Sequence, residues 1–277
     1  MSDLQIGPGL ICTTTWGSVT GGMLKSWMDA RSLSEKQGLT NCAWEVVPGT
    51  LVEKARNDAV RQMLARGAQW ILMIDGDAQF APESILQLLH TAYGPMAPAM
   101  DVVGAYCTLK GDPALPTMDT GTGTWESIFP FDGPKEVIRT GAAFLLAKRH
   151  VFERLPEPWF RMRVPARPID FMAEVDNWAR IKLHGENPFR NLPGQPWEKL
   201  EQLAKDDPSS IPGKFVPFEV GEDSGFCDRV RNAGMRIWVD TNVVVRHIDT
   251  TIRGPEDHKK FIEGQQRQHR QLCGLLS

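Results

Sequence analysis

The stretch Trp70-Ile-Leu-Met-Ile-Asp75-Gly76-Asp77 constrains this chain more than any other. An apolar run ends abruptly in two carboxylates one glycine apart. A run so short and so apolar predicts a strand buried on both faces. Such a strand delivers whatever follows it to the carboxyl edge of its sheet, where Asp-x-Asp offers a divalent cation two oxygen ligands. The competing reading is a hairpin turn, because Asp-Gly is a strong turn dipeptide. That reading needs a strand next, whereas Pro82-Glu-Ser-Ile-Leu-Gln-Leu-Leu predicts a helix with proline at its first position. An EF-hand loop is excluded, since its twelfth position falls on Leu86 instead of a glutamate.

The residues ahead of this run supply its context. Gly9–Thr15 reads as a first strand ending in hydroxyls, Ser18–Gly22 as a small-residue turn, and Met23–Leu33 as a helix. Asn41–Val47 is a second apolar strand closed by Pro48-Gly49. Thr50 and Glu53 form a capping box, and the helix they open places Leu51, Val52, Ala55, Ala59, Val60, Met63 and Leu64 on one stripe before Gly67 stops it. Strands alternating with helices predict an α/β fold with a mostly parallel central sheet covered on both faces. Ligands of such sheets sit beyond the carboxyl ends of the strands, which is where both Thr13–Thr15 and Asp75–Asp77 fall.

Composition narrows the class. The 277 residues are 42% hydrophobic and 23% charged with a formal net charge of −3, so any affinity for a polyanion requires a local basic patch. Five scattered cysteines without a CxxC pair show no zinc or disulfide framework and point to a reducing compartment. The N-terminus has no signal-peptide pattern and no apolar run reaches the roughly 20 residues of a membrane helix. The expectation is a soluble, cytoplasmic protein, in host cytoplasm if phage-encoded.

Further on, Asp101–Cys107 predicts another strand, residues 111–135 loops, Thr140–Ala147 a compact apolar segment, and Val151–Leu155 a helix. Residues 157–218 are proline-rich and irregular around one helical piece at Trp197–Lys205. A long segment of that kind is more often functional than inert. Val220–Gly234 predicts a helix headed by Glu222-Asp223, for which simple N-capping needs only one carboxylate. Arg236–Asp240 and Asn242–His247 read as two strands or one bent strand, and the tail from Pro255 as helical. A lone histidine ending a strand is commonly structural, and equally a common metal ligand.

Taken in order, Ala55-Arg-Asn-Asp58, Asp75-Gly-Asp77, Thr140-Gly-Ala-Ala-Phe144, Gly221-Glu-Asp223 and His247 resemble the sugar-nucleotide glycosyltransferases of the GT-A fold. The likeness is to the family 2-like, soluble single-domain bacterial and phage type. It implies one GT-A domain over 1–277, with a nucleotide-sugar half at 1–110, an acceptor half at 111–250 and a helical tail at 251–277. The resemblance implies Mn²⁺ or Mg²⁺ as cofactor, held directly by Asp77, with Asp75 and His247 completing the set. The donor it implies is a nucleoside-diphosphate sugar, UDP-sugars favoured, lined by Thr13, Thr14, Thr15, Arg56, Asn57, Asp75 and Gly76. Asp223 is the implied base, with Glu222 beside it, and inversion the favoured outcome. Thr140, Gly141, Trp159, Arg161 and Glu222 are the implied acceptor contacts. Glu45 is the one candidate for an acidic contact to the nucleotide base. The chain lacks a Gln-x-x-Arg-Trp motif, which sets it apart from processive polysaccharide synthases.

Rival readings stay open at this level. Lys148, Arg149, Arg154, Arg161, Arg163 and Arg167 surround Trp159 and Phe160. They form either a solvated basic face beside core aromatics or a surface for an anionic acceptor, modified DNA included. A sugar-phosphate nucleotidyltransferase also uses paired carboxylates and Mg²⁺, but usually carries a basic, glycine-rich loop after its first strand, and Thr13–Gly22 has no lysine or arginine. An inactive nucleotide-sugar-binding module is the third class. Gly121-Thr-Gly123 lacks the third glycine and the strand–helix setting of a dinucleotide fingerprint.

Overall fold

The computed structural model describes residues 6–15, 18–49, 51–95, 99–108, 116–120, 132–161, 221–248 and the backbone of 252–253. The chain divides into two compact units, Met1–Arg161 with Phe226–Ser277, and Met162–Gly225. Of the second unit only Gly221–Gly225 lies among the described residues. The irregular stretch beyond Arg161, its expected helix at 197–205, Arg163, Arg167, Gly121–Gly123 and the tail from Pro255 lie outside them.

The first unit opens as the alternation predicts: β1 (Gly9–Thr15), α1 (Gly21–Lys36), β2 (Cys42–Pro48), α2 (Val52–Ala65) and β3 (Trp70–Asp75). There follow β4 (Ala78–Phe80), α3 (Ser84–Tyr93), β5 (Val102–Cys107), β6 (Pro134–Val137), β7 (Phe144–Lys148), α4 (Arg149–Arg154), α5 (Glu222–Asn232), β8 (Ile237–Ile248) and β9 (Ile252–Arg253). The sheet runs β2-β1-β3-β7-β5-β8-β4, with β6 and β9 also paired to β8. β1 pairs parallel with β2 and β3, and β5 parallel with β8. β7 is antiparallel to both β3 and β5. Two reversals restore direction, so β2, β1, β3, β5 and β8 all point the same way, which is the mostly parallel α/β sheet that the alternation predicts.

Period-two alternation decides which helix covers which face. Leu10, Cys12, Ile71, Met73, Leu145 and Ala147 pack with Ala59, Val60 and Met63 of α2 and with Phe152, Phe226 and Val230 of α4 and α5. Their neighbours Ile11, Trp70, Leu72, Ile74 and Leu146 pack with Met23, Trp27 and Ala30 of α1 and Leu88, Leu89 and Ala92 of α3. Each large side chain fully buried in this way contributes about 1.5–3 kcal/mol, so a one-residue slip of β3 would exchange both sets at once. Gly9 is obligatory for a different reason: a Cβ there would sit 2.1 Å from the Trp70 indole.

Three local readings change. The expected cap Thr50 lies outside the described residues, and α2 starts from Leu51 with no side-chain cap. α3 begins at Ser84, two residues beyond Pro82. A strand does follow the Asp-Gly-Asp turn, but β4 pairs with β8 and not back onto β3, so the turn is not a hairpin. Of the two alternatives for 236–247, the single strand is found, β8 at Ile237–Ile248, and its register against β5 shifts between Ala105 and Tyr106.

Candidate functional site

The parallel direction of β1, β3, β5 and β8 brings Thr15, Asp75, Cys107 and His247 to one rim. His247 is far from Asp77 in sequence, and β4 is what joins them. Directly after Asp77, Ala78 stands opposite His247 in the antiparallel β4–β8 pairing, and the Ile248 N–H donates to the Asp77 carbonyl at 2.8 Å. One oxygen each from Asp75 and Asp77 and one ring nitrogen of His247 lie within 4.8 Å of one another. Gly76 permits the turn to seat: a Cβ would come within 3.2 Å of the Ser18 carbonyl and of Thr15.

Two carboxylates and an imidazole are a hard oxygen-rich set with one nitrogen, which fits Mn²⁺ or Mg²⁺ better than a thiolate-seeking metal. Three protein donors fall short of the six positions such ions fill, which leaves room for water and substrate oxygens. The group can therefore hold a metal ion. His247 is only 9% exposed, and its Nδ1 lies 2.6 Å from the Thr108 carbonyl oxygen. Cys107 Sγ is 3.6 Å from Nδ1 and 3.8 Å from Nε2; burial pushes the Cys107 thiol up, so it stays protonated.

Asp75 is held from its own face of the sheet. Thr14 is its cross-strand partner, and the Thr14 hydroxyl donates to Asp75 Oδ1 at 3.3 Å. Arg56, on the buried stripe of α2, donates Nη2 to Oδ1 at 2.9 Å and to Oδ2 at 3.2 Å. The guanidinium is 3% exposed and lies over the Phe160 ring, 5.9 Å from its centroid. A buried charge of this kind needs its partner: losing the carboxylate would cost about 3–5 kcal/mol. Both Asp75 oxygens face Arg56.

Several residues assigned from sequence are committed elsewhere. The Asn57 side chain is engaged by backbone: its amide donates to the carbonyls of Glu53 and Phe160, at 2.8 and 2.7 Å. Its oxygen accepts the Trp159 and Phe160 N–H groups at 2.9 and 3.0 Å. Trp159 is 5% exposed. Its ring is buried edge-on against Phe152, and its Nε1–H donates to the carbonyls of Phe152 and Leu155. Thr13, on the α1 face, is fully buried, and its hydroxyl has no hydrogen-bond partner among the described residues. Thr15 donates to the Ser18 carbonyl at 2.8 Å. Thr140 is likewise buried, with its carbonyl accepting the Cys227 thiol, while the Gly141 N–H donates to Thr117. Glu45 pairs with Arg66 at 2.7 Å, three residues short of the rim.

The basic stretch is part covered and part exposed: Lys148 and Arg149 are half-buried, and Arg154 and Arg161 are exposed. Lys148 lies over the Tyr93 ring and is pulled below its usual pKa by burial. Arg149 binds Glu153 and the Ala68 carbonyl, and Arg154 the Ala233 carbonyl.

Glu222 and Asp223 open α5, in its first turn. Asp223 Oδ1 accepts the N–H of the next residue, Ser224, at 2.7 Å. Sequence reasoning did not reach Thr108, because a backbone carbonyl leaves no mark in a residue pattern.

No protein-family model matches the sequence, and no curated protein matches it. Among solved structures, A197 from STIV superposes with a TM-score of 0.53 at 15% identity, over 90% of this chain and 91% of that one. At that identity the likeness is one of fold. A glycosyltransferase involved in the glycosylation of the major capsid of PBCV-1 overlaps at a TM-score of 0.34 and 10% identity, over 92% of this chain and 98% of that one. The inositol-1-phosphate CTP transferase from T. maritima overlaps at 0.35 and 11%, over 89% and 91%. Those two superpositions are too loose to establish a common fold. No helix among the described residues is long and apolar enough to cross a membrane.

Proposed function

We propose that this chain is a metal-dependent glycosyltransferase that moves a sugar from a nucleoside-diphosphate sugar to an acceptor hydroxyl. The observation that carries the reading is the convergence of Asp75, Asp77 and His247 at the carboxyl rim of the sheet. A metal-capable group there, beside a buried arginine on one of its carboxylates, suits a substrate with a charged diphosphate. When bound, the cation offsets the negative charge that gathers on the departing diphosphate. Asp77 and His247 would hold it. Asp75, kept in place by Arg56 and Thr14, would face the donor nucleotide or complete the set.

In the reaction the acceptor oxygen bonds to the anomeric carbon as the bond from that carbon to the diphosphate oxygen breaks. The acceptor proton passes to Asp223, a role that rests on the order of motifs along the chain. A carboxylate that is ionised beforehand can take a proton as the hydroxyl loses it, and a single such displacement inverts the sugar. A UDP-hexose with Mn²⁺ is the first donor to test.

The experiment is a screen of nucleoside-diphosphate sugars for Mn²⁺-dependent hydrolysis, comparing the wild-type chain with Asp77→Asn. Loss of at least about a hundredfold in the variant is expected, as for removal of a principal charge-stabilising group. Equal turnover in the two proteins removes the proposal. Turnover of a nucleoside triphosphate with a sugar phosphate in its place would assign the chain to the nucleotidyltransferases.

A further inference from the structure

His247 has two ring nitrogens, and a cation can take only the one that carries no proton. Which one is free depends on the hydrogen bond made by the other. Nδ1 lies 2.6 Å from the backbone carbonyl oxygen of Thr108. A carbonyl has nothing to donate, so the proton sits on Nδ1 and the lone pair on Nε2. We infer that the Thr108 carbonyl, braced by Thr117, is the positioning group that makes Nε2 of His247 the metal donor. The inference rests on the metal-dependent reading of this site and adds residues that the reading did not use.

The brace is visible in the hydrogen bonds. β5 ends at Cys107, and the chain then forms an antiparallel bridge between Thr108 and Pro116. The Cys107 carbonyl accepts twice from one residue, the Thr117 N–H at 2.8 Å and the Thr117 hydroxyl at 3.2 Å. That grips the peptide immediately ahead of the Thr108 carbonyl. Thr117 is itself wedged: its carbonyl accepts the Gly141 N–H at 3.1 Å, and a Cβ on Gly141 would come within 3.0 Å of Thr117 Cβ. Thr108 is fully buried, so water does not compete for its carbonyl. Cys107 Sγ, near both ring nitrogens, is a weak donor that reaches the Thr108 carbonyl at 3.7 Å.

Partners that orient a metal-binding histidine typically change metal affinity by about 10- to 100-fold when lost. Thr117 acts one step further out, and the lower end of that range, about tenfold, is the expectation for Thr117→Val. Valine keeps the branched shape and removes only the hydroxyl bond to Cys107.

The test uses the full chain. With ¹⁵N-labelled histidine, no metal and a pH of about 8.5, well above the ordinary histidine pKa, the His247 signals are those lost in His247→Gln. A protonated Nδ1 with an unprotonated Nε2 is expected. Thr117→Val should lower the Nδ1–H population and weaken Mn²⁺ binding in a direct titration by about tenfold, and Thr117→Ser, which restores the hydroxyl, should recover both. An Nε2–H tautomer in a wild-type chain that still binds Mn²⁺ overturns the positioning role alone. Unchanged tautomer and affinity in Thr117→Val remove the brace. A wild-type chain with the expected tautomer and no Mn²⁺ binding overturns the metal reading, and the positioning role with it.

Discussion

Replacing Asn57 by alanine separates two roles that the sequence leaves mixed. Asn57 is 5% exposed, and its side chain makes four hydrogen bonds to backbone, three of them to the Trp159–Phe160 turn. Alanine strands the Trp159 N–H, the Phe160 N–H and the Phe160 carbonyl in a buried setting. At a net cost of about 1 kcal/mol for each group left unsatisfied, the loss is about 3 kcal/mol. The same turn seats the Phe160 ring that lies under Arg56, so the damage reaches the support of Asp75. The assay is urea denaturation followed by circular dichroism, read as a fall in midpoint at constant slope. In a heat scan the same loss should lower the midpoint by about 6 °C for a chain of this size. A loss below about 1 kcal/mol, accompanied by weaker nucleotide-sugar binding, would refute the clamp and return Asn57 to the donor pocket.

Two further outcomes follow from burial. Trp159→Phe keeps the ring against Phe152 but drops the Nε1–H bonds to the Phe152 and Leu155 carbonyls. It should cost about 1–2 kcal/mol of stability with donor turnover unchanged; a selective rise in acceptor KM would restore the stacking role. Burial pushes the Cys42 thiol from its ordinary 9.0 up to about 12. At pH 8 that leaves about a thousandfold less thiolate than in an unfolded chain, so iodoacetamide should label the folded protein at Cys42 correspondingly slowly. The stability linked to this group is whole below pH 9 and is lost as the pH rises through 12. Labelling at the rate of a free thiol would show that Cys42 is solvated.

Much of the frame is legible in the residues. β1, β3 and β5 are largely apolar runs, and a short run apolar on both faces, bounded by turn residues, reads as a strand between two helical layers. The amphipathic stripe at 55–63 likewise announces α2. β4 was not legible, because Ala78-Gln-Phe80 is too short for any period to register, and it becomes a strand only through pairing with β8. Nor was the antiparallel entry of β7 between β3 and β5, since direction is a property of connections outside the segment itself.

The candidate site divides along the same line. The chemistry of Asp75, Asp77 and His247 was present in the sequence, as was the arginine beside them, because donor type depends on the side chain alone. Their convergence within 4.8 Å was decided by tertiary structure, through a three-residue strand that sets Ala78 opposite His247. So too was the division between Arg56 and Asn57, adjacent on one helix. Helical rotation turns the first to Asp75 at the rim and the second to the Trp159–Phe160 turn. The same holds for the Thr108 carbonyl: every residue carries that group, and only the packing of β5 against β8 selects the one that meets His247.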